Sequence, residues 1–214
     1  NMQEALKNHW REYLFEAWGL GTFMVSACFF GAALFHPNSP LIEINATFRN
    51  VLMGAAMGAT AVGIICSPPG KRSGAHINPS VTLTFLRLGK IKPWDAVFYI
   101  AAQFAGAAAG VLLSWFVLGE LLADGAVNFV VTAPGVYGAG AAFIAEMVIS
   151  FLMMTMILIT SNSAKWSRST PFFAGILVAV YISLEAPISG MSMNPARTFG
   201  SAFNAGIWNS LWIY

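Results

Sequence analysis

Long apolar blocks, broken only by isolated polar positions, dominate the pattern of this chain. Stretches without charge run from Tyr13 to Phe35, interrupted only by Glu16, then from Asn50 to Gly70 and from Ala96 to Gly119. A second set follows from Tyr137 to Thr160, interrupted only by Glu146, then from Pro171 to Leu184, and finally from Ile207 to Tyr214. Crossing the hydrocarbon core as a helix takes about 20 apolar residues, so the pattern predicts six spans in two sets of three. The last is cut short at Tyr214, and with Asn at the start of the chain we expect a piece of a longer protein, with roughly one further helix beyond Tyr214.

Composition turns this pattern into a class. Of 214 residues, 57% are hydrophobic and 9% charged, against roughly 25% charged in a soluble domain. Six spans would consume about 120 residues and leave only short loops, which predicts one integral membrane domain over 1–214. A net charge of +2, with its basic residues scattered through loops, excludes a nucleic-acid footprint. Cys28 and Cys66 lie inside apolar runs without any CxxC or Cys/His spacing, so they read as buried thiols and imply no disulfide framework, metal or cofactor. The first apolar run is too long for a signal peptide and reads as a span.

Positive charge orients the set. Lys7 and Arg11 precede the first span, Lys71, Arg72, Arg87, Lys90 and Lys92 follow the second, and Lys165 and Arg168 follow the fourth, which places nine of the eleven basic residues on one side. The positive-inside rule makes that side, with the amino terminus, cytoplasmic. Arg49 sits at a span boundary and is expected to snorkel to the outer interface. Arg197 falls at membrane depth and calls for a separate reason.

That reason lies in an internal repeat. Ser73-Gly74-Ala75-His76-Ile77-Asn78-Pro79-Ser80-Val81-Thr82 and Ser189-Gly190-Met191-Ser192-Met193-Asn194-Pro195-Ala196-Arg197-Thr198 share the frame SGxxxNP[SA]xT, each after the second span of its half. Glu16 and Glu146 correspond near the start of the first span of each half. The halves, about 13–119 and 137–214, therefore read as a duplication. With three spans each they insert in opposite senses, an inverted repeat. The short apolar runs Ser80 to Leu86 and Ala196 to Phe203 cannot cross about 30 Å of hydrocarbon and must dip in and return. Asn is a strong N-cap and Pro suits the first helical turn, so Asn78-Pro79 and Asn194-Pro195 read as the starts of two half-helices meeting near the midplane. Their positive ends repel cations while unpaired N–H groups and the Asn amides offer donors to a neutral solute. Non-helical backbone at this depth is tolerable where its carbonyls line a wet cavity, so a water-filled pore is the expected outcome.

These paired motifs resemble those of the major intrinsic protein family, the aquaporins and glycerol facilitators, across essentially the whole chain, with Ser80 standing where the first Asn-Pro-Ala motif has Ala. The resemblance implies an all-α, aquaporin-like bundle of six transmembrane helices plus two re-entrant half-helices, a passive channel and not an enzyme, one pore per subunit, a homotetramer, and a plasma or inner membrane location. It implies pore asparagine motifs at Asn78, Pro79, Ser80, Asn194, Pro195 and Ala196. It further implies an outer constriction formed by Arg197, Met191, Ile182 and a residue on the second span. Counting back from Asn78 gives Gly58 for that residue, matching the local helix pattern gives Met57, and we favour Gly58.

The permeant is open between two readings. The constriction lacks the His of a water filter and is less polar than one, which points to small neutral solutes such as glycerol, urea, ammonia or metalloid hydroxides. Thr198, Phe199, Gly200 and Ala202 follow the aquaporin and not the glycerol-facilitator pattern, which points to water, the reading we adopt. Glu16 and Glu146 are expected to hold loop backbone, and His76 to be a structural imidazole with gating as its alternative. Gly54 with Gly58, and Gly106 with Gly110, have GxxxG spacing and predict close helix packing. Asn45-Ala46-Thr47 fits a glycosylation sequon in an outer loop. Ser192 lacks a neighbouring His to act as base, which argues against an intramembrane protease. A secondary transporter would need ionisable groups near its site, and the sequence offers only Glu16, Glu146 and Arg197 within the predicted spans.

Overall fold

The computed structural model describes residues 1–214 and contains helices and no strands. In chain order these are α1 (Met2–Phe35), α2 (Ala46–Cys66), α3 (Pro68–Ser73), α4 (Pro79–Arg87), α5 (Pro93–Leu118), α6 (Glu120–Ala123), α7 (Gly138–Ser161), α8 (Thr170–Ser189) and α9 (Pro195–Ala205). Five of them, α1, α2, α5, α7 and the segment containing α8, are long and apolar enough to cross a membrane. Beyond Ala205 the chain carries only a short turn of tight helix over Leu211–Ile213, so the sixth apolar block is not a spanning helix within these residues. On α5, side chains such as Leu113, Phe116 and Val117 are exposed, the arrangement of a surface whose solvent is lipid.

Two departures from the expected boundaries have local causes. α1 starts eleven residues before Tyr13, because Asn1 and Glu4 close a reciprocal capping box, and its backbone kinks at His9. There the imidazole Nδ1 lies 2.9 Å from Asp95 Oδ1, which also accepts from the Tyr13 hydroxyl at 2.6 Å. α8 continues past Leu184, through Pro187, to a C-cap at Gly190. Glu185 therefore lies inside the helix and is 7% exposed, a buried carboxylate that the charge-free reading placed outside the membrane.

The glycine pairs set the two closest helix crossings. A methyl group added at Gly58 would run into the carbonyl oxygen of Gly175, and one at Gly106 into that of Ala17. α2 thus packs backbone to backbone on α8, and α5 on α1, the use GxxxG spacing serves in membranes. Between α1 and α5 lies the main apolar core, with Leu20, Met24, Cys28, Ala107 and Val111 packed with Leu122.

Candidate functional site

The two repeat motifs form re-entrant loops leading into α4 and α9, nine and eleven residues long. At 1.5 Å per residue these helices span about 14 and 16 Å, half the hydrocarbon thickness, as their short apolar runs required. Pro79 and Pro195 occupy the first helical positions. Asn78 Oδ1 accepts from Ser80 N at 2.8 Å, and Asn194 Oδ1 accepts from Ala196 N at 3.1 Å and Arg197 N at 3.2 Å, so each Asn caps its half-helix.

The amide nitrogens of the same residues join the two halves. Asn78 Nδ2 donates to the Met193 carbonyl at 2.7 Å, and Asn194 Nδ2 donates to the Ile77 carbonyl at 2.7 Å. A side-chain amide has two N–H donors, so each Asn keeps one for the space between the loops.

Glu16 and Glu146 hold these loops in register. Glu16 is fully buried; it accepts from the Ser73 hydroxyl at 2.8 Å, from His76 N at 3.0 Å, from Ile77 N at 2.6 Å and from the Gln103 amide at 2.8 Å. Glu146 accepts from the Ser189 hydroxyl at 2.5 Å, from Ser192 N at 2.8 Å and from Met193 N at 2.6 Å. The loop partners correspond residue for residue between the halves. The correspondence extends to backbone conformation: Ala75 and Ile77 have φ of 46° and 41°, and Met191 and Met193 have φ of 50° and 55°. Left-handed conformations cost non-glycine residues on the order of 1 kcal/mol each, and charge-assisted bonds to the carboxylates offset that cost. It also extends to tyrosine: Tyr99 donates to the Ser73 carbonyl at 2.7 Å, and Tyr214 donates to the Ser189 carbonyl.

A cavity of about 710 Å³ runs between the loops and the surrounding helices. Along α2 its wall is Asn50, Met53, Met57, Ala61 and Ile65, an i, i+3/i+4 stripe about 22 Å long. Met57 faces the cavity, whereas Gly58 is turned against α8 and is not on the wall. This corrects the preference for Gly58: the glycine stripe that packs α2 on α8 cannot also face the lumen. Ile182, Met191, Arg197, Ser80 and both motif asparagines line the same cavity, while Ala196 is sealed in the core beside α1 and α5. His76 also lines it, with its ring stacked on Phe85 and Nδ1 3.2 Å from the Thr82 hydroxyl.

Arg197 and His76 are the only ionisable side chains on this wall, and no carboxylate reaches it. Glu185, missing from the sequence reading, has no hydrogen-bonding partner on either oxygen, yet it too lies off the wall. The Ser192 hydroxyl is engaged by the Asn194 carbonyl at 3.0 Å and the Thr198 hydroxyl at 2.6 Å, so it is not a poised nucleophile. Arg49 donates to the Leu34 carbonyl at 3.0 Å and lies over the Phe35 ring, at the end of α1. Asn45 is exposed and caps α2 through Thr47 N.

Sequence reasoning also missed Thr132, in the connection before α7. Its hydroxyl accepts from the Arg197 guanidinium and lies 3.4 Å from the Thr198 hydroxyl, which ties this connection to the second half-helix. No motif marks a contact made across 65 residues. Thr82 and Thr198 did carry a signal, since they close the repeat frame, and each bonds the residue two before its motif Asn.

A family model described as major intrinsic protein matches residues 3–214. The chain is 39% identical over 149 residues to the probable aquaporin NIP4-2 of Arabidopsis thaliana, covering 68% of this chain and 50% of that protein. It is 36% identical over 162 residues to the probable aquaporin AqpM of Archaeoglobus fulgidus, covering 73% of this chain and 64% of that protein. The chain thus spans about half to two thirds of the length of these relatives. The crystal structure of the aquaglyceroporin from Plasmodium falciparum superposes with a TM-score of 0.76 at 17% identity, over 96% of this chain and 89% of that one, which shows a shared fold.

Proposed function

Because the chain belongs to the major intrinsic protein family, we propose that it is a membrane channel through which water passes passively while ions and protons are excluded. The observation that carries this reading is the pair of Asn amides. Asn78 and Asn194 each spend one N–H on the opposite loop and hold the other at the amino end of a half-helix, on a wall without carboxylates. Water offers its oxygen to such donors at little cost, whereas a cation meets two helix dipoles and the Arg197 guanidinium in a low-dielectric setting. The absence of a carboxylate from the wall supports a channel over a coupled transporter, which needs a titratable or ion-binding group at its site.

A second reading has its own support. Met57, Ile182 and Met191 line the same cavity as Arg197 with apolar side chains, which favours a facilitator that also admits glycerol, urea, ammonia or metalloid hydroxides. The aquaporin names of the sequence relatives favour water. The Arg197 constriction, a homotetramer, residence in the plasma or inner membrane, and a cytoplasmic amino terminus complete the proposal; the last rests on nine of eleven basic residues sharing one side.

Stopped-flow light scattering on proteoliposomes tests the reading. An impermeant osmolyte should produce fast shrinkage, and a parallel glycerol challenge should show no rapid re-swelling. Rapid re-swelling in glycerol would transfer the assignment to the facilitator, and shrinkage at the empty-liposome rate would refute a channel.

A further inference from the structure

Six of the ten methionines line the central cavity: Met53 and Met57 from α2, Met153 and Met154 from α7, and Met191 and Met193 from the second re-entrant loop. The other four lie elsewhere, among them Met24, sealed in the core, and Met2, exposed before the first span. Leucine would fill the same volume with the same apolarity. What methionine adds is a sulfur lone pair open to two-electron oxidation. A wall that turns away cations admits neutral oxidants, and hydrogen peroxide has the size and hydrogen-bonding groups of two water oxygens.

We propose that the cavity methionines are a modification site for hydrogen peroxide, and that their sulfoxides restrict the channel; this rests on the channel reading above. In the step, a thioether lone pair attacks one peroxide oxygen, an S–O bond forms and the O–O bond breaks. The sulfur is oxidised by two electrons, and the departing hydroxyl takes the proton from the transferred oxygen and leaves as water. Met53, Met153, Met154 and Met193 are half-buried on the wall and react first, ahead of Met57 and Met191, which are 1% and 7% exposed. Met193 sits where the loops meet, its carbonyl bound by Asn78. Its sulfoxide places a strong acceptor on the wall that carries the Asn donors and Arg197, where it competes with permeating water for those N–H groups.

The test uses the full chain in proteoliposomes, with water flux measured before and after exposure to hydrogen peroxide and methionine oxidation mapped by peptide mass spectrometry. The expected result is oxidation at Met53, Met153, Met154 and Met193, none at Met24, and a reduced flux. The loss should persist in a Cys28→Ser/Cys66→Ser protein. In a protein with Met53→Leu, Met153→Leu, Met154→Leu and Met193→Leu the treated-to-untreated flux ratio should stay near one, whatever the untreated flux. Oxidation confined to methionines off the wall, or a loss abolished by removing the cysteines, overturns the proposal, as does oxidation at the wall with no change in flux. Untreated flux no faster than empty liposomes instead overturns the channel reading, and this proposal with it.

Discussion

Replacing Glu146 separates a scaffold carboxylate from a transport carboxylate. Its Oε1 accepts from the Ser189 hydroxyl and Ser192 N, and its Oε2 accepts from Met193 N. Glu146→Gln keeps one oxygen and its two bonds but turns an NH₂ donor toward the Met193 N–H. The loss is one hydrogen bond to a charged group plus a stranded buried donor, about 2–3 kcal/mol. Glu146→Ala removes all three bonds and strands two backbone donors beside residues with positive φ, on the order of 5–8 kcal/mol. That is comparable to the whole stability of a typical domain. With about 2–4 °C of melting temperature per kcal/mol for a chain of this size, Glu146→Gln should melt about 5–10 °C lower and conduct water at a reduced rate. Glu146→Ala should not yield a conducting protein. Thermal unfolding in detergent, read beside stopped-flow water flux, checks both. An alanine variant that melts within 2 °C of the native protein, within the error of about 1 kcal/mol, and conducts normally would refute the reasoning. So would a glutamine variant of native stability with no flux, since that outcome makes the proton itself the functional feature.

Thr132→Val removes the hydroxyl that accepts from Arg197, so glycerol permeation should rise relative to water while the protein stays folded; Thr132→Ser should restore the native ratio. Met57→Ala enlarges the cavity wall and should raise glycerol flux, whereas Gly58→Ala drives a methyl into the Gly175 carbonyl and should lower the melting temperature by overpacking, about 1–3 kcal/mol, without a matching change in selectivity. Exchange of those two outcomes in paired flux and melting experiments would return Gly58 to the pore. Asn194→Asp keeps a capping oxygen but loses the donor to the Ile77 carbonyl and adds negative charge, so water flux should fall and cation leak should rise in a dye-based flux assay.

The inverted repeat was legible because chemistry that must occur twice leaves its frame twice. SGxxxNP[SA]xT encodes a serine that bonds a buried glutamate, an Asn cap, a Pro at the first helical turn and a Thr that returns to the loop, and all four recur in the folded chain. The choice between Met57 and Gly58 was within reach of the same reasoning, since Gly54 and Gly58 had already been read as a packing stripe, and neighbouring residues on a helix face about 100° apart. The true end of α8 was obscured because Glu185 resembles a membrane boundary and Pro187 a helix stop, yet tertiary packing carries the helix through both. Thr132 left no trace because its partners come from a distant part of the chain. The sixth block was read as a span cut short at Tyr214; the residues after Ile207 carry a short turn, with Tyr214 docked on the Ser189 carbonyl as Tyr99 docks on Ser73.

The central claim is that opposed half-helices and their Asn donors pass water while refusing cations. Proteoliposomes loaded with a pH-sensitive dye report both in one preparation, through osmotic shrinkage and through proton entry under an imposed gradient. The account predicts shrinkage that accelerates with protein content while proton entry stays at the empty-liposome rate. Proton entry rising in step with protein content, or shrinkage independent of it, would contradict the account.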